Sequence, residues 1–572
     1  MRLAIVPLCL VPFTLACGPL VSVDDAGHRD AHDVAPSDGG SLADAGDVVD
    51  DAGAGDAGVG DAGLDAGYEP VLQSGTTIEV EQGTVVGVEE GGLRVFRGIP
   101  YAEPPVGNDR FRAPQKKDDW NIDLDASSFG PACPQQDLGG LVLGDVELSE
   151  DCLSLNIWAH DDGTLRPVMV FIHGGAFIMG GSSQPLYDGA RLAEEANVTV
   201  VSMNYRLGAL GWLASEAIAT EDGAPGAGNY GLMDQLLALR FVKENIRAFG
   251  GDDENITIFG ESAGAISVCA ILGVPEADAL YDKAIVESGM CALSTYDAGG
   301  LIGMPNAREL AALVVDEVGC GDAAFVADCL RAKPVDDLVA AASLFSVFTG
   351  DLQSVSALSP IVDGVLLAEQ PIDRVRAGGI AKPVIVGSTR DEGVLFTSTD
   401  VVVTRQNLED HIAELIGDTP LVDALMDVYD EESFFFPKDA WVALMGEATF
   451  ICPGVELARA MAPHANVYAY HFTRVPPALL TVGATHGLEL PYVFDTFSSL
   501  GLIPLPSDHA VRAEMQKTWG LFAWTGAPGV EQGFAPYTLA APSFIVFDDP
   551  ATTVGDIRDG RCAELKTLGV VY

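Results

Sequence analysis

The sequence is poor in basic residues. Its 572 residues include 31 Lys and Arg against 83 Asp and Glu, which gives a formal net charge of −52 at pH 7. The stretch 24–69 contributes −12, from 13 acids and one base, so the remaining −40 belongs to the rest of the chain. Because nucleic acid is a polyanion, this charge argues against a nucleic-acid partner.

The N-terminus lacks an apolar run long enough to span a bilayer. The run at 3–16 has the length of the hydrophobic part of an export signal, and we predict a signal peptide at 1–16. Residues 14–18 resemble the end of a bacterial lipoprotein signal, in which Cys17 would be the lipid-bearing first residue of the mature protein. Cleavage after Ala16 without lipid is the alternative, because Thr14 stands where leucine is usual.

Residues 17–72 contain few large apolar side chains. Asp-Ala-Gly triplets begin at positions 25, 44, 51, 56, 61 and 65. Such a segment cannot offset the conformational entropy lost on folding, so we predict a disordered acidic linker. The pattern changes after it to short strands at 78–80, 84–88 and 93–97, expected to pair antiparallel. We predict one folded domain at 73–572.

The cysteines and histidines show no spacing typical of a metal site, so no zinc and no cofactor are expected. Apart from Cys9 and Cys17, eight cysteines remain. An even number in an exported chain favours disulfides, although the sequence alone does not fix their connectivity.

A Gly-x-Ser-x-Gly motif at 260–264 follows a short β-branched and aromatic run at 256–259. A nucleophile held on a sharp strand-to-helix turn needs neighbours without side chains, which Gly260 and Gly264 provide. The motif is weak by itself in a chain with 64 glycines. It predicts that Ser262 is a nucleophile only if a base, an acid and oxyanion donors accompany it.

The regions upstream of this motif alternate between buried strands and a helix. The apolar run at 167–173 is typical of a strand buried on both faces, and 199–205 is predicted as the next buried strand. The segment that opens at 228 places Leu236, Leu239 and Val242 at helical spacing. This alternation predicts an α/β fold with a mostly parallel sheet. Gly174, Gly175 and Ala176 leave the first strand, and their small side chains allow backbone amides to approach an anion.

The base and the acid are expected after the serine, with the acid first. Among the later histidines, His486 alone lies in a loop of small residues, 483–487, whereas the others are at 411, 464, 471 and 509. For the acid, Asp391 and Glu392 both follow the predicted strand at 383–387, and physical reasoning does not choose between them. Asp363 is the fallback.

Several further segments carry a family resemblance, namely 96–102, 104–107, 150–158 and the run from His486 to Phe494. Together with the serine motif they resemble the carboxylesterase type-B, or cholinesterase-like, family of α/β-hydrolases. The resemblance implies an α/β-hydrolase fold, with a mostly parallel central sheet, helices on both faces and a small N-terminal antiparallel sheet. The family domain would occupy 73–572.

The resemblance also implies roles for single residues. The triad would be Ser262, His486 and Glu392, with oxyanion donors at Gly175, Ala176 and Ala263. Arg206 would form a structural ion pair with Glu150. Disulfides are implied for Cys133–Cys152, Cys320–Cys329 and Cys452–Cys562, which leaves Cys269–Cys291.

Glu261, next to the serine, would place negative charge near the imidazolium that forms during acyl transfer. The loop 133–152 contains no aromatic residue, whereas cholinesterases carry there the tryptophan that holds a quaternary ammonium group. A preference for choline esters is therefore not expected.

The predicted function is a serine hydrolase of small-molecule carboxylic esters. It would be extracellular or attached to a bacterial cell envelope only through lipid on Cys17. A lipase-like or amide- and carbamate-cleaving enzyme with the same site is one alternative. A non-catalytic surface-adhesion module of the same fold is the other.

Overall fold

A large mixed β-sheet forms the centre of the protein in a computed structural model. The structure describes residues 68–572 except 137–145, 223–227, 296–305, 344–357, 399, 403, 418, 530–532 and 559. The predicted signal peptide, Cys17 and nearly all of the predicted linker lie outside the described residues, and they stay predictions.

The strands within the described residues belong to three sheets. Their bounds are β1 Thr77–Val80, β2 Gly83–Val86, β3 Val88–Glu90, β4 Leu93–Pro100, β5 Leu124–Asp125, β6 Ser154–Ala159, β7 Arg166–Ile172, β8 Thr199–Met203, β9 Gly251–Glu261, β10 Lys283–Glu287, β11 Ser294–Thr295, β12 Ile361–Val362, β13 Val384–Thr389, β14 Val467–Phe472, β15 Phe544–Phe547 and β16 Thr552–Val554.

The large sheet has eleven described strands in the order β16-β15-β14-β13-β10-β9-β7-β8-β6-β4-β3. The seven neighbours from β15 to β8 all pair in parallel, and antiparallel strands complete both edges. The parallel strands β7, β8 and β10 are buried along their whole length. This explains why β7 is a nearly continuous apolar run and why none of the three alternates between apolar and polar residues.

The helices lie between these strands in the chain. Their bounds are α1 Ala190–Ala196, α2 Gly208–Trp212, α3 Glu216–Asp222, α4 Tyr230–Asn245, α5 Ala263–Gly273, α6 Ala307–Glu317, α7 Val326–Ala332, α8 Val335–Ser343, α9 Pro371–Arg376, α10 Gly393–Phe396, α11 Arg405–Ile416, α12 Pro420–Val428, α13 Pro437–Gly446, α14 Cys452–Met461, α15 Leu490–Phe494, α16 Pro506–Thr525 and α17 Arg561–Thr567.

Side chains of the parallel strands alternate between two hydrophobic clusters. In β9, Ile256 and Ile258 join one cluster, together with residues of α4, α5 and α14. Phe259 joins the other, together with residues of α1, α15 and α16. Since successive side chains of a strand point to opposite faces, the two clusters lie on the two sides of the sheet. Helices therefore cover both faces.

The small N-terminal sheet has the order β1-β2-β5. Its first two strands pair antiparallel, as predicted, while β5 joins in parallel. The predicted strand at 93–97 pairs instead with the edge of the large sheet, through β3 and β6.

One ion pair differs from the expectation. Arg206 binds Asp234, the buried carboxylate in α4, through Nε and Nη2 at 2.8 and 2.7 Å. Glu150 is bound by Arg110, whose Nε and Nη2 donate to it at 2.5 and 2.6 Å. The predicted pair of Arg206 with Glu150 is therefore wrong, because each partner has a closer bidentate partner.

All four implied disulfides are present: Cys133–Cys152, Cys269–Cys291, Cys320–Cys329 and Cys452–Cys562. Four disulfides are typical of a chain that folds in an oxidising compartment outside the cytosol.

One helical stretch, Pro437–Met461, has the length and mean hydropathy of a membrane span. In its apolar 18-residue window, 78% of the residues are buried against the rest of the fold. Its composition is thus explained by its place in the core, between the sheet and the C-terminal residues.

Candidate active site

Ser262 lies on a strained turn between β9 and α5. Its backbone adopts φ 57° and ψ −123°, a conformation that residues with side chains rarely adopt. A Cβ atom on Gly260 would lie 2.6 Å from the Gly264 carbonyl carbon, and one on Gly264 would lie 1.9 Å from the Ile172 oxygen. Both glycines are therefore required by the turn, and the Ser262 amide anchors it through a 3.0 Å bond to the Glu287 carbonyl.

The loop after β7 lies directly against this turn. A Cβ atom on Gly174 would lie 3.2 Å from Ser262 Cβ and 2.9 Å from Glu261 Oε2. Gly175 and Ala176 both have positive φ, at 109° and 54°. The loop predicted to supply oxyanion donors therefore begins in contact with the serine turn and continues along an uncommon backbone path.

His486 contacts two glutamates, one on each ring nitrogen. Its Nδ1 lies 2.5 Å from Glu392 Oε2, and its Nε2 lies 3.2 Å from Glu261 Oε1. Since Glu261 directly precedes Ser262, Nε2 faces the turn that carries the serine. Glu392 also accepts hydrogen bonds from the Thr389 amide at 2.7 Å and the Ser288 hydroxyl at 2.6 Å, which fix its carboxylate.

The other candidate acids have different partners. Asp391 accepts from the Ala484 amide at 2.7 Å and pairs with Arg390, so it braces the loop before His486. Asp363 accepts from the side-chain amide of Asn229 at 2.9 Å and from two backbone amides of its own turn.

The remaining candidate histidines lie elsewhere. His471 is buried in β14, where burial and the nearby charge of Arg558 lower its pKa to about 3. His411 stacks on Trp441, and His464 contacts the Arg376 carbonyl. His509 lies in α16, beside Phe497.

Four buried glutamates form a cluster that includes the two in contact with the histidine. They are Glu261, Glu287, Glu392 and Glu489. Glu489 Oε1 lies 3.3 Å from the Ser288 hydroxyl, which also binds Glu392. Trp519 Nε1 donates to Glu287 Oε1 at 2.6 Å. The second oxygens of Glu287 and Glu489 have no hydrogen-bond partner within the described residues.

Burial dominates the ionisation of this cluster. It raises the pKa of Glu287 to about 8, against the opposing effect of the Trp519 hydrogen bond. Burial, and then the negative charge of the neighbouring glutamates, also raises the pKa of Glu261 and of Glu489 well above the usual range. The cluster therefore holds protons at pH values where exposed glutamates have lost them.

Two phenylalanine rings complete the surroundings of His486. The ring centres of Phe450 and Phe396 lie 4.4 and 5.0 Å from that of the imidazole. Neither ring, nor Glu287 and Ser288, was identified from the sequence. Glu287 and Ser288 end the strand beside β9, at the carboxyl edge where sites gather, which is the one signal that could have indicated them.

Comparison with known proteins places this arrangement in context. Residues 74–563 match the carboxylesterase family. The chain is 36% identical to the para-nitrobenzyl esterase of Bacillus subtilis (strain 168) over 499 residues, which cover 84% of this chain and 96% of that protein. It is 33% identical to the cholinesterase of Mus musculus over 485 residues, covering 79% and 78%. A solved structure of a PNB esterase superimposes with a TM-score of 0.75 at 34% identity, covering 86% of this chain and 99% of that one.

Proposed function

The chain belongs to the carboxylesterase family, and we propose that it hydrolyses carboxylic esters through an acyl-enzyme formed on Ser262. Carboxylic ester hydrolysis itself follows from the family and from the para-nitrobenzyl esterases that the chain resembles. The roles of the individual residues are the new part.

In the proposed mechanism, His486 Nε2 takes the proton of the Ser262 hydroxyl as Oγ attacks the ester carbonyl. Glu392 accepts a hydrogen bond from Nδ1–H and so fixes the tautomer that leaves Nε2 free to act as the base. The amides of Gly175, Ala176 and Ala263 bind the oxyanion. His486 then protonates the departing alcohol, and water releases the acid in the same way.

The observation that carries the proposal is the Glu392–His486 contact beside the Ser262 turn. A serine hydroxyl is a poor nucleophile without a base, and a base must be oriented by a third group. The 2.5 Å contact joins the acid and the base, and the base turns its other nitrogen toward the serine turn. Glu261 supports the charged imidazole electrostatically.

The proposed range of substrates is narrower than that of the family as a whole. The absence of an aromatic residue from 133–152 argues against choline esters, since no ring there can bind a quaternary ammonium group. Simple aryl and alkyl esters are the proposed substrates. A panel of p-nitrophenyl esters of increasing acyl length, a p-nitrobenzyl ester, butyrylthiocholine and a p-nitroanilide separates esterase, lipase-like and amidase activity.

Ser262→Ala and His486→Ala test the residue roles. Each is expected to lower kcat on p-nitrophenyl acetate by more than about a thousandfold, because triad members act as a unit. The circular dichroism spectrum and melting temperature should stay close to those of the parent. Retention of most turnover by His486→Ala would contradict the assignment of the base.

Export and attachment form a separate part of the proposal. The four disulfides support an exported protein. After removal of the signal at 1–16, lipid on Cys17 would attach the chain to the cell envelope through the linker at 17–72. Metabolic labelling with a radioactive fatty acid tests the lipid on Cys17. We expect label in the parent and none in Cys17→Ser; equal labelling of both would contradict the assignment.

A further inference from the structure

One turn beside the active site is wider than an α-helix. Glu447–Ile451 form a π-helical turn between α13 and α14. Such turns are rare and are frequent at functional sites. This turn carries Phe450, which is 2% exposed and whose ring is inclined by 34° to the imidazole of His486 at a centre distance of 4.4 Å.

The contact between His486 Nδ1 and Glu392 does not by itself fix the plane of the imidazole ring. The Nδ1 contact with Glu392 fixes one atom of the ring, but the ring can still turn about that bond. Phe450 packs against it at 34°, and Phe396 meets it nearly edge-on, at 66°. The two phenylalanine rings also contact each other at 5.2 Å. The direction of Nε2 thus depends on this aromatic packing as well as on Glu261, whose Oε1 lies 3.2 Å from it.

The π turn is tied at both ends to residues near the C-terminus. At its start, Glu447 accepts from Arg561 Nη2 at 2.6 Å and lies 3.4 Å from Arg558 Nε. Directly after its end, Cys452 forms a disulfide with Cys562. Glu447 is buried, so its ion pairs are poorly screened by solvent.

The same C-terminal residues reach the loop that carries the catalytic acid. Arg558 also donates to the carbonyl of Arg390, two residues before Glu392. Next to Glu392, a Cβ atom on Gly393 would lie 2.0 Å from the Val442 oxygen in α13. The acid loop is therefore in direct contact with α13, the helix that leads into the π turn, and one set of C-terminal side chains holds both the loop and the turn.

We propose that Phe450 is a positioning residue for His486. We further propose that Arg558, Arg561 and Cys562 hold the Phe450 ring in place through the π turn. This inference rests on the proposed role of His486 as the base. According to this proposal, contacts made by residues near the C-terminus affect the rate of catalysis indirectly, through the position of His486.

Phe450→Leu tests the ring, with Phe544→Leu as the matched control. Phe544 is also buried, in β15, but its ring contacts Tyr537. We expect Phe450→Leu to lower kcat on p-nitrophenyl acetate by about ten- to a hundredfold with KM changed less than twofold, as for other small misplacements of a catalytic group. Phe544→Leu should keep kcat within twofold at a similar melting temperature. Equal kcat values for both variants would overturn the proposal.

Arg561→Lys tests the C-terminal link, because lysine keeps the charge but loses the bidentate geometry. We expect kcat to fall at least threefold with KM unchanged. In the double variant with Phe450→Leu, kcat should fall no further than in Phe450→Leu alone, since both changes act through one ring. Losses that multiply, or an unchanged kcat in Arg561→Lys, would overturn the link.

His486→Ala separates this inference from the proposed function. If His486→Ala is inactive while Phe450→Leu is fully active, only the positioning role fails. If His486→Ala keeps its turnover, the base assignment fails, and with it the reason for positioning this ring.

Discussion

The two halves of the active site are held by different means. The half that carries Ser262 is built from backbone: two glycines without room for a Cβ atom, a positive φ at the serine and a loop of small residues. The half that carries His486 is built from side chains: Glu392 on one nitrogen, buried glutamates around it and two phenylalanine rings against the imidazole. Steric constraint defines the first half, whereas charge and packing define the second.

Among the groups that support His486, Glu392 is expected to matter most. Glu392→Gln should lower kcat by roughly ten-thousandfold, because an amide in place of the carboxylate favours the wrong tautomer of His486. The matched variant is Asp391→Asn, next to it in the chain. Its partner is the Ala484 amide, so a loss of about tenfold is expected. Steady-state kinetics decide the acid, and a larger loss at Asp391 would contradict the assignment of Glu392.

The backbone half should fail at Gly264. Gly264→Ala places a methyl group 1.9 Å from the Ile172 oxygen, so the turn must move and kcat should fall by at least about a thousandfold. Gly454→Ala in α14 is the control, because the nearest atom to its Cβ lies 3.6 Å away. That variant should stay active and be slightly more stable. Full activity in Gly264→Ala would show that the turn does not require this glycine.

A smaller effect is expected at Glu261, where the two halves meet. Glu261→Gln removes the charge 3.2 Å from His486 Nε2 but keeps the shape of the side chain. Burial and the neighbouring carboxylates raise the pKa of Glu261, so its carboxylate is harder to ionise than that of an exposed glutamate, which limits the expected effect. We expect kcat to fall about tenfold with little change in KM. A loss as large as that of Glu392→Gln would mean that Glu261, too, belongs to the triad machinery.

The smallest expected effect is a change in thermal stability with pH, caused by the buried carboxyl group of Glu287. An unfolded Glu287 loses its proton near its ordinary pKa of 4.5, whereas the folded protein keeps it to about pH 8. Between these values the unfolded state binds fewer protons, so this group makes the protein less stable as the pH rises. Glu287→Gln cannot titrate and can still accept from Trp519.

The melting temperature of Glu287→Gln minus that of the parent should therefore increase by roughly 2 °C when the pH is raised from 5 to 9. Scanning fluorimetry of both proteins in matched buffers measures the difference. A difference that does not change with pH would contradict the raised pKa.

The difference between the two halves explains what the sequence can predict. The backbone half is determined by residues that are close together in the sequence. Gly260, Ser262 and Gly264 lie within five residues, and Gly174 to Ala176 follow one buried strand. The parallel sheet was predictable for the same reason, because strands such as β7 are nearly continuous apolar runs, and the α/β-hydrolase fold is confirmed by the solved PNB esterase structures.

The side-chain half depends on contacts that are distant in the chain. Phe450 and His486 are not adjacent in the sequence, and nothing in a buried phenylalanine indicates that it faces a histidine. The pairing of Arg206 was wrong for a similar reason: an ion pair depends on which carboxylate the fold brings close, and Asp234 is closer than Glu150. Choosing Glu392 over Asp391 required the family resemblance.

The most direct test of the account is covalent labelling of the nucleophile. The purified protein is incubated with a small aryl organophosphonate, and tryptic peptides are analysed by mass spectrometry. The account predicts one phosphonyl group per chain, on the peptide that contains Ser262, with activity lost in proportion to labelling and no label in Ser262→Ala. Inactivation with the label on another residue, or full turnover by Ser262→Ala, would contradict it.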